Sequence, residues 1–150
     1  MKELAAAVRS EVERAAGVFG SWSDADAMRS RGEGKWVRKE ILGHLIDSAF
    51  NNHQRFVRAQ LAAAYAGPGY EQESWVRVHG YRERPWSELV RLWVAANGQL
   101  AAVMERVPSD KLETPCTIGD DEPETLGFVM RDYLAHMKKH LSQIEAGGMP

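Results

Sequence analysis

The chain has 150 residues, of which 44% are hydrophobic and 27% charged, and its formal net charge is −2. This length and composition fit one soluble domain over residues 1–150 with a substantial apolar core. The slightly negative charge, without any block of lysine or arginine, argues against nucleic acid or an anionic membrane surface as a partner.

The N-terminal segment has no pattern of export or membrane insertion. Only the apolar run Leu4–Val8 precedes the charge at Arg9, which is too short for the core of a secretory signal. No other run approaches the roughly 20 apolar residues of a membrane span. The single cysteine, Cys116, cannot form an intrachain disulfide, and we expect it in a loop between Pro115 and Thr117. A cytoplasmic location is therefore predicted.

Four stretches with apolar residues at helical spacing are predicted as helices. In chain order they are Lys2–Phe19, Lys35 to about Ala64, Pro85–Val107 and Thr125–Ala146. Thr125 is the predicted N-cap of the last helix, which Gly147 and Gly148 would end. Four helices with one apolar stripe each bury those stripes most simply in a four-helix bundle.

Strand patterns are scarce, because no segment alternates apolar and polar residues over more than about four positions. The sequence therefore predicts an all-α fold. The connection from Ala66 to Arg84 is long, as in a bundle with a crossover, and long ordered connections often cover sites.

The last predicted helix carries two histidines four residues apart, His136 and His140. Four residues advance a helix by about 400°, so both imidazoles lie on nearly the same face, within reach of one metal ion. The predicted buried stripe comprises Met130, Tyr133, Met137, Leu141 and Ile144. His140 lies within this stripe and His136 at its edge. Because a histidine on an apolar face is more often a hydrogen-bonded core residue, the pair alone leaves both interpretations open.

A metal ion would need a third ligand, which could be His44, His53, His79 or a carboxylate. His44 and His53 are nine residues apart on the second predicted helix, about half a turn out of phase, so they cannot both bind the same ion. Both border the apolar stripe of that helix, and periodicity does not choose between them.

Three segments carry a recognisable pattern in fixed order. Gly34–Asp47 contains a tryptophan and a histidine, Pro85–Leu89 follows, and Asp132–Ile144 contains the histidine pair followed by Gln-Ile. Together they resemble the DinB-like proteins, which include the YfiT-like metal-dependent hydrolases. The resemblance extends from about Lys2 to Ala146.

The resemblance implies a four-helix bundle with an up-down-down-up path and one divalent metal ion held by His44, His136 and His140. His53 and His79 do not match ligand positions of that family. We expect His53 to be a structural or surface residue and His79 a loop residue near the mouth of the site.

Three neutral imidazoles suit several divalent metals and leave at least one coordination position open; zinc is the first expectation and nickel the second. In a hydrolase the metal would activate water, and a carboxylate would accept the proton. In a transferase it would bind a low-molecular-weight bacterial thiol as thiolate. Met137 occupies the place of the glutamate in His-Glu-x-x-His, which disfavours a zinc-protease mechanism.

Glu40, Asp47 and Asp132 each lie about one helical turn from a histidine. Asp47 is the candidate for a general base, or for the acceptor that orients an imidazole. We expect Glu40 and Asp132 to be solvated, and Trp36 and Tyr133 to be packing residues.

Two alternatives from other classes remain. The protein could bind metal without turnover, as a stress-associated module, or it could bind no metal and dimerise through exposed aromatic residues such as Trp75 and Trp93. A coordination position beside a pocket favours an enzyme, a closed ligand set favours a structural role, and the lack of a pocket favours the bundle alone. We expect an enzyme that acts on a small molecule and forms a homodimer.

Overall fold

The structure is a computed structural model and describes residues 1–146. Its α-helices are α1 (Lys2–Phe19), α2 (Asp24–Ala27), α3 (Arg38–Gln60), α4 (Gln72–His79), α5 (Trp86–Glu105) and α6 (Leu126–Ala146). The four long helices α1, α3, α5 and α6 form the predicted bundle, in which α5 packs against both α1 and α3. Helix α6 packs mainly against α3 and also contacts α1. The all-α prediction is thus confirmed for the body of the molecule.

The predicted phase of the last helix is confirmed. Met130, Tyr133, Met137, Leu141 and Ile144 are all buried. The lysines that follow Met137 are exposed on the opposite face. Because the stripe faces α3, the histidines beside it also face α3.

The second predicted helix is too long at both ends. Helix α3 begins at Arg38 rather than Lys35, because the N–H of Val37 donates to Oε2 of Glu40 at 2.9 Å and closes the first turn. It ends at Gln60, four residues before Ala64. Glu40 is therefore a partly buried capping residue, with 14% of its side chain exposed, and not the solvated carboxylate that we expected.

The other helix ends agree more closely with the predictions. Helix α5 ends at Glu105, two residues before the predicted Val107. Thr125 does cap α6, since its Oγ1 accepts a hydrogen bond from the N–H of Phe128 at 3.1 Å. The predicted stop at Gly147–Gly148 lies outside the described residues.

The sequence did not predict the three short strands that the structure contains. Three short strands, β1 (Tyr65–Gly67), β2 (Pro115–Ile118) and β3 (Glu124–Thr125), form a sheet in the order β1-β2-β3. β1 is parallel to β2, with Tyr65 opposite Cys116, and β2 is antiparallel to β3. Strands of two to four residues are too short to show the alternation that predicts a strand. Cys116 is consequently in a strand and buried, not in a loop.

The long connection from Ala66 to Arg84 is ordered and packs on α3. It contains α4 and a 3-10 turn, Tyr81–Glu83. Tyr81 is buried, and its ring occupies the space that a Cβ atom at residue 43 would need. Gly43 thus allows the crossover to approach α3 directly beside His44.

Two further observations bear on possible partners. The metal-free alternative required Trp93 to be exposed, but Trp93 is completely buried, whereas 37% of Trp75 is exposed. The predicted dimer contact through Trp93 is therefore wrong. Among the described residues, no helix combines the length and the apolar character needed to cross a bilayer.

Candidate metal centre

The structure brings three of the five histidines together between two helices. His44 projects from α3, and His136 and His140 project from successive turns of α6. One ring nitrogen of each lies within 4.8 Å of the other two, and the Nε2 atoms of His44 and His136 are 3.1 Å apart. The ring centroids are separated by 4.5 to 5.0 Å. The three imidazoles therefore surround one common point.

Burial keeps these imidazoles neutral. Desolvation, followed by the charges of His140 and His136, lowers the pKa of the completely buried His44 to about 3. Desolvation, followed by the charge of His140, lowers the pKa of His136 to about 4. Burial also lowers the pKa of His140. At neutral pH the three rings thus carry free lone pairs, which is the form that binds a metal ion.

Gln143 fixes the tautomer of His140. Oε1 of Gln143 lies 2.9 Å from Nδ1 of His140. Because an amide oxygen only accepts hydrogen bonds, Nδ1 carries the proton in this assignment, and the lone pair is on Nε2. This outer hydrogen bond is the arrangement found around metal-binding histidines.

The distances and donor types fit a divalent metal ion. Two imidazole nitrogens that bind one tetrahedral ion at about 2.0–2.1 Å lie about 3.3 Å apart, close to the separation of the Nε2 atoms of His44 and His136. In addition, Nδ1 of His44 is buried and has no hydrogen-bond partner within residues 1–146. Packing alone leaves this histidine poorly satisfied, which argues against the interpretation of the three rings as ordinary core residues.

A cavity of about 330 Å³ lies beside His136. Its walls include Asn52 and Arg55 of α3, Asp132 and Tyr133 of α6, and Tyr70 of the crossover connection. A cavity next to the imidazoles is the feature that separates an enzyme from a closed structural site.

Asp47 is buried one helical turn after His44. Its Oδ1 accepts a hydrogen bond from the hydroxyl of Tyr81 at 2.6 Å and lies 3.2 Å from Nδ1 of His79. Its Oδ2 is buried without a partner in the described part of the chain. Burial raises the pKa of the Asp47 carboxyl, against the opposing effects of the Tyr81 hydrogen bond and the His79 charge.

The remaining candidates are not part of the three-histidine cluster. His53 is half-buried further along α3 and is not part of the cluster. His79 is the last residue of α4 rather than a loop residue, and it contacts Asp47. Asp132 is exposed, as expected, and Tyr133 is a packing residue whose hydroxyl donates to Oδ1 of Asn97. The half-buried Trp36 packs near the site, with its ring centroid 5.5 Å from that of His44.

A model of the DinB superfamily matches residues 7–144 of this chain. The chain belongs to the DinB superfamily. No curated protein matches it in sequence. The family and the bundle that the motifs predicted are therefore confirmed.

Two solved structures share the fold of this DinB-superfamily protein. YfiT from Bacillus subtilis, described as a probable metal-dependent hydrolase with an unusual four-helix bundle topology, superposes with a TM-score of 0.81 at 19% identity, over 96% of this chain and 81% of YfiT. The mycothiol-dependent maleylpyruvate isomerase superposes with a TM-score of 0.76 at 12% identity, over 95% of this chain. Our chain spans only 59% of the isomerase. At these identities the similarity establishes the fold alone.

Sequence reasoning assigned no role to several residues of the site. Gln143 lies three residues after His140, so helical spacing could have identified it as a partner. Tyr81 belongs to the crossover connection and reaches the site through its hydrogen bond to Asp47. Arg55 is part of the α3 wall of the cavity. No local pattern marks either residue, because each depends on how distant segments pack.

Proposed function

We propose that this DinB-superfamily protein is a metal-dependent enzyme that acts on a small molecule, with one divalent ion held by His44, His136 and His140. The observation that carries the proposal is the convergence of three neutral imidazoles beside a cavity. Zinc is the first expectation for the ion and nickel the second, because both accept imidazole nitrogen. When bound, the ion would supply Lewis-acid activation of a water molecule or of a thiol.

We propose that Asp47 positions His44. Nδ1 of His44 and Oδ2 of Asp47 are both buried without partners among the described residues, and they lie about one turn apart on α3. The two atoms form no hydrogen bond with each other in this structure. The pair would have to form when the ion binds, because an imidazole N–H and a carboxylate oxygen are complementary and such a pair directs the other ring nitrogen toward a metal. Asp47 does not line the cavity, whereas Asp132 does, so Asp132 is better placed than Asp47 to accept a proton there.

Hydrolysis is the reaction that we propose first. An open position beside three histidines suits activation of water, and YfiT, which has the same fold, is described as a probable metal-dependent hydrolase. The second candidate is transfer of a low-molecular-weight thiol. The similarity to a mycothiol-dependent isomerase over 95% of this chain supports that candidate.

The metal site is tested by a matched pair of variants. Replacing His140 with alanine should abolish stoichiometric metal, whereas His53→Ala, on the same bundle but outside the cluster, should retain it. Metal content is measured by elemental analysis of the purified proteins after dialysis. Equal metal content in the two variants and the parent would contradict the ligand assignment.

The two reactions are separated by substrate screening of the metal-loaded protein. Turnover of ester or amide substrates without a thiol supports hydrolysis, and turnover of electrophiles that requires a bacterial thiol supports transfer. Stoichiometric metal without turnover in either screen would favour the non-catalytic module. We also expect the protein to be cytoplasmic and to form a homodimer in which each subunit is one domain over residues 1–150. Light scattering tests the oligomeric state.

A further inference from the structure

The cavity beside His136 has charges of opposite sign on different elements. Helix α3 contributes the positive charge of Arg55. The negative charges come from Asp132 on α6 and from Asp121, in the segment between β2 and β3. A ligand in this cavity would therefore meet separate sites for a negative and a positive group.

Arg55 is held in place without being neutralised. Its Nη1 donates to Oδ1 of Asn52 at 3.5 Å, and its Nη2 donates to the carbonyl oxygen of Pro68 at 3.3 Å. Asn52 is itself buried, and its Nδ2 donates to the carbonyl oxygen of Ser48 at 2.9 Å. Within residues 1–146, Arg55 forms no ion pair. A half-buried guanidinium with unused donors is well suited to bind a carboxylate, often through two hydrogen bonds.

The acidic residues are equally unpaired. Asp121 and Asp132 are exposed, and neither forms an ion pair in the described part of the chain. A ligand with only a carboxylate would satisfy Arg55 but would also face these two negative charges. A ligand with an ammonium group as well would match all three charges.

The cavity is of a size suited to a small ligand. Its volume of about 330 Å³ lies at the lower end of the range of ligand pockets, which is about 300–1,000 Å³. His136 lines the same cavity, so a ligand anchored at Arg55 shares it with a residue of the candidate metal centre.

We infer that this cavity binds a small molecule with both a carboxylate and an ammonium group, an amino acid or a short derivative of one. Arg55 pairs with the carboxylate and Asp121 pairs with the ammonium group, while Asp132 remains the candidate proton acceptor of the proposed function. The inference deepens the proposed function and rests on it for one point, that the reacting group of the ligand lies at the metal. It applies equally to hydrolysis and to thiol transfer.

The test uses four thiols that share a metal-binding sulfur and differ in charge. L-Cysteine has both charged groups, 3-mercaptopropionate has only the carboxylate, cysteamine has only the ammonium group, and 2-mercaptoethanol has neither. Each is titrated into the cobalt-loaded protein, and the change in the visible spectrum of cobalt reports binding. Since every thiol is compared with itself across variants, differences in chelation cancel.

The expected result is a selective loss. Arg55→Gln should weaken binding of L-cysteine and of 3-mercaptopropionate by about tenfold or more, the cost of a lost charge-assisted hydrogen bond, and leave the other two thiols unchanged. Asp121→Asn should weaken L-cysteine and cysteamine by a smaller factor. Arg58→Gln is the matched control, because Arg58 is exposed on the same helix, does not line this cavity and donates through Nε to Oε1 of Gln54. It should change none of the four.

Two outcomes would overturn the carboxylate site. One is unchanged binding of L-cysteine to the Arg55→Gln protein, and the other is equal weakening of all four thiols. A separate measurement is independent of the metal: calorimetric titration of S-methyl-L-cysteine into the chelator-treated protein and its Arg55→Gln variant. Binding to the parent that the variant loses supports the site, and the absence of binding to the parent counts against it. Failure of every thiol to alter the cobalt spectrum would instead overturn the metal centre.

Discussion

The two sides of the bundle bury very different side chains. On the side of α1 and α5, the ring of Phe19 lies 5.4 Å from that of Trp86 and 6.1 Å from that of Trp93. On the side of α3 and α6, imidazoles and a carboxylate are packed among the buried apolar residues, and His44 and Asp47 each have a buried atom without a partner among the described residues. Aromatic burial stabilises a fold, whereas burial of unpaired polar groups costs free energy.

This contrast indicates that the residues that stabilise the bundle and the residues of the candidate metal site lie on different sides of it. The aromatic side can hold the helices in place while the polar side leaves hydrogen-bonding capacity for a ligand. Substitutions on the two sides should therefore change different measurements, the free energy of unfolding for the first and metal affinity for the second.

The largest effect is expected on the aromatic side. Trp93→Ala should lower the free energy of unfolding by about 3–5 kcal/mol, because it leaves a cavity in a completely buried position. Urea denaturation measures this loss. The protein that remains folded should still bind one metal ion per chain.

Trp93→Phe is the control for that experiment. It leaves a smaller cavity than alanine and removes Nε1, a donor with no partner in residues 1–146, so it should lower the free energy of unfolding by less than Trp93→Ala does. Loss of metal from folded Trp93→Ala protein would contradict the separation of the two sides.

A smaller, selective effect is expected on the polar side. Gln143→Leu removes the acceptor that holds Nδ1 of His140 and should weaken metal binding by about 10- to 100-fold. Competition with a chelator measures the affinity. Ser142→Ala, a change at the exposed neighbour whose hydroxyl donates to the carbonyl of Lys138, should leave the affinity unchanged. Equal metal affinities of the Gln143→Leu and Ser142→Ala proteins would show that Gln143 does not support metal binding.

The smallest effect is expected from a moderate fall in pH. Protons compete with a metal for imidazole lone pairs. This competition begins only as the pH approaches the pKa values that the histidine side chains have in the folded protein. Because the pKa values of His44 and His136 are lowered to about 3 and about 4, their rings stay neutral at pH 5.5. Metal affinity should therefore change less than about tenfold between pH 7 and pH 5.5.

Exposed imidazoles would behave differently over the same interval. With an ordinary pKa of about 6.5, each of three ligands would lose about tenfold, for a total of about a thousandfold. A loss of that size, with the circular dichroism spectrum unchanged, would show that the three rings are not buried as the structure describes.

Much of the fold followed from local patterns. Apolar residues at helical spacing located all four long helices, since a helix repeats every 3.6 residues regardless of its partners. The small sheet was missed because its strands of two to four residues pair across distant parts of the chain. Trp93 was misjudged for a related reason: its burial depends on α1, which lies far from it in sequence.

The candidate metal site was likewise only partly predictable from local patterns. Spacing alone placed His136 and His140 on one face, because both lie on one helix. It could not choose between His44 and His53, which border the same stripe, and only the family resemblance favoured His44. The packing of α3 against α6 brings His44 to the pair and leaves His53 outside it.

By itself, the sequence determined the elements whose physics is local: four amphipathic helices, the cap at Thr125, and the histidine pair of α6. Only the tertiary structure decided which residues from distant segments meet, namely His44 with that pair, Tyr81 with Asp47, and Arg55 with the cavity beside His136. The reason is that helical periodicity fixes the direction of a side chain relative to its own helix. The position of that helix in the bundle depends on all the apolar stripes together.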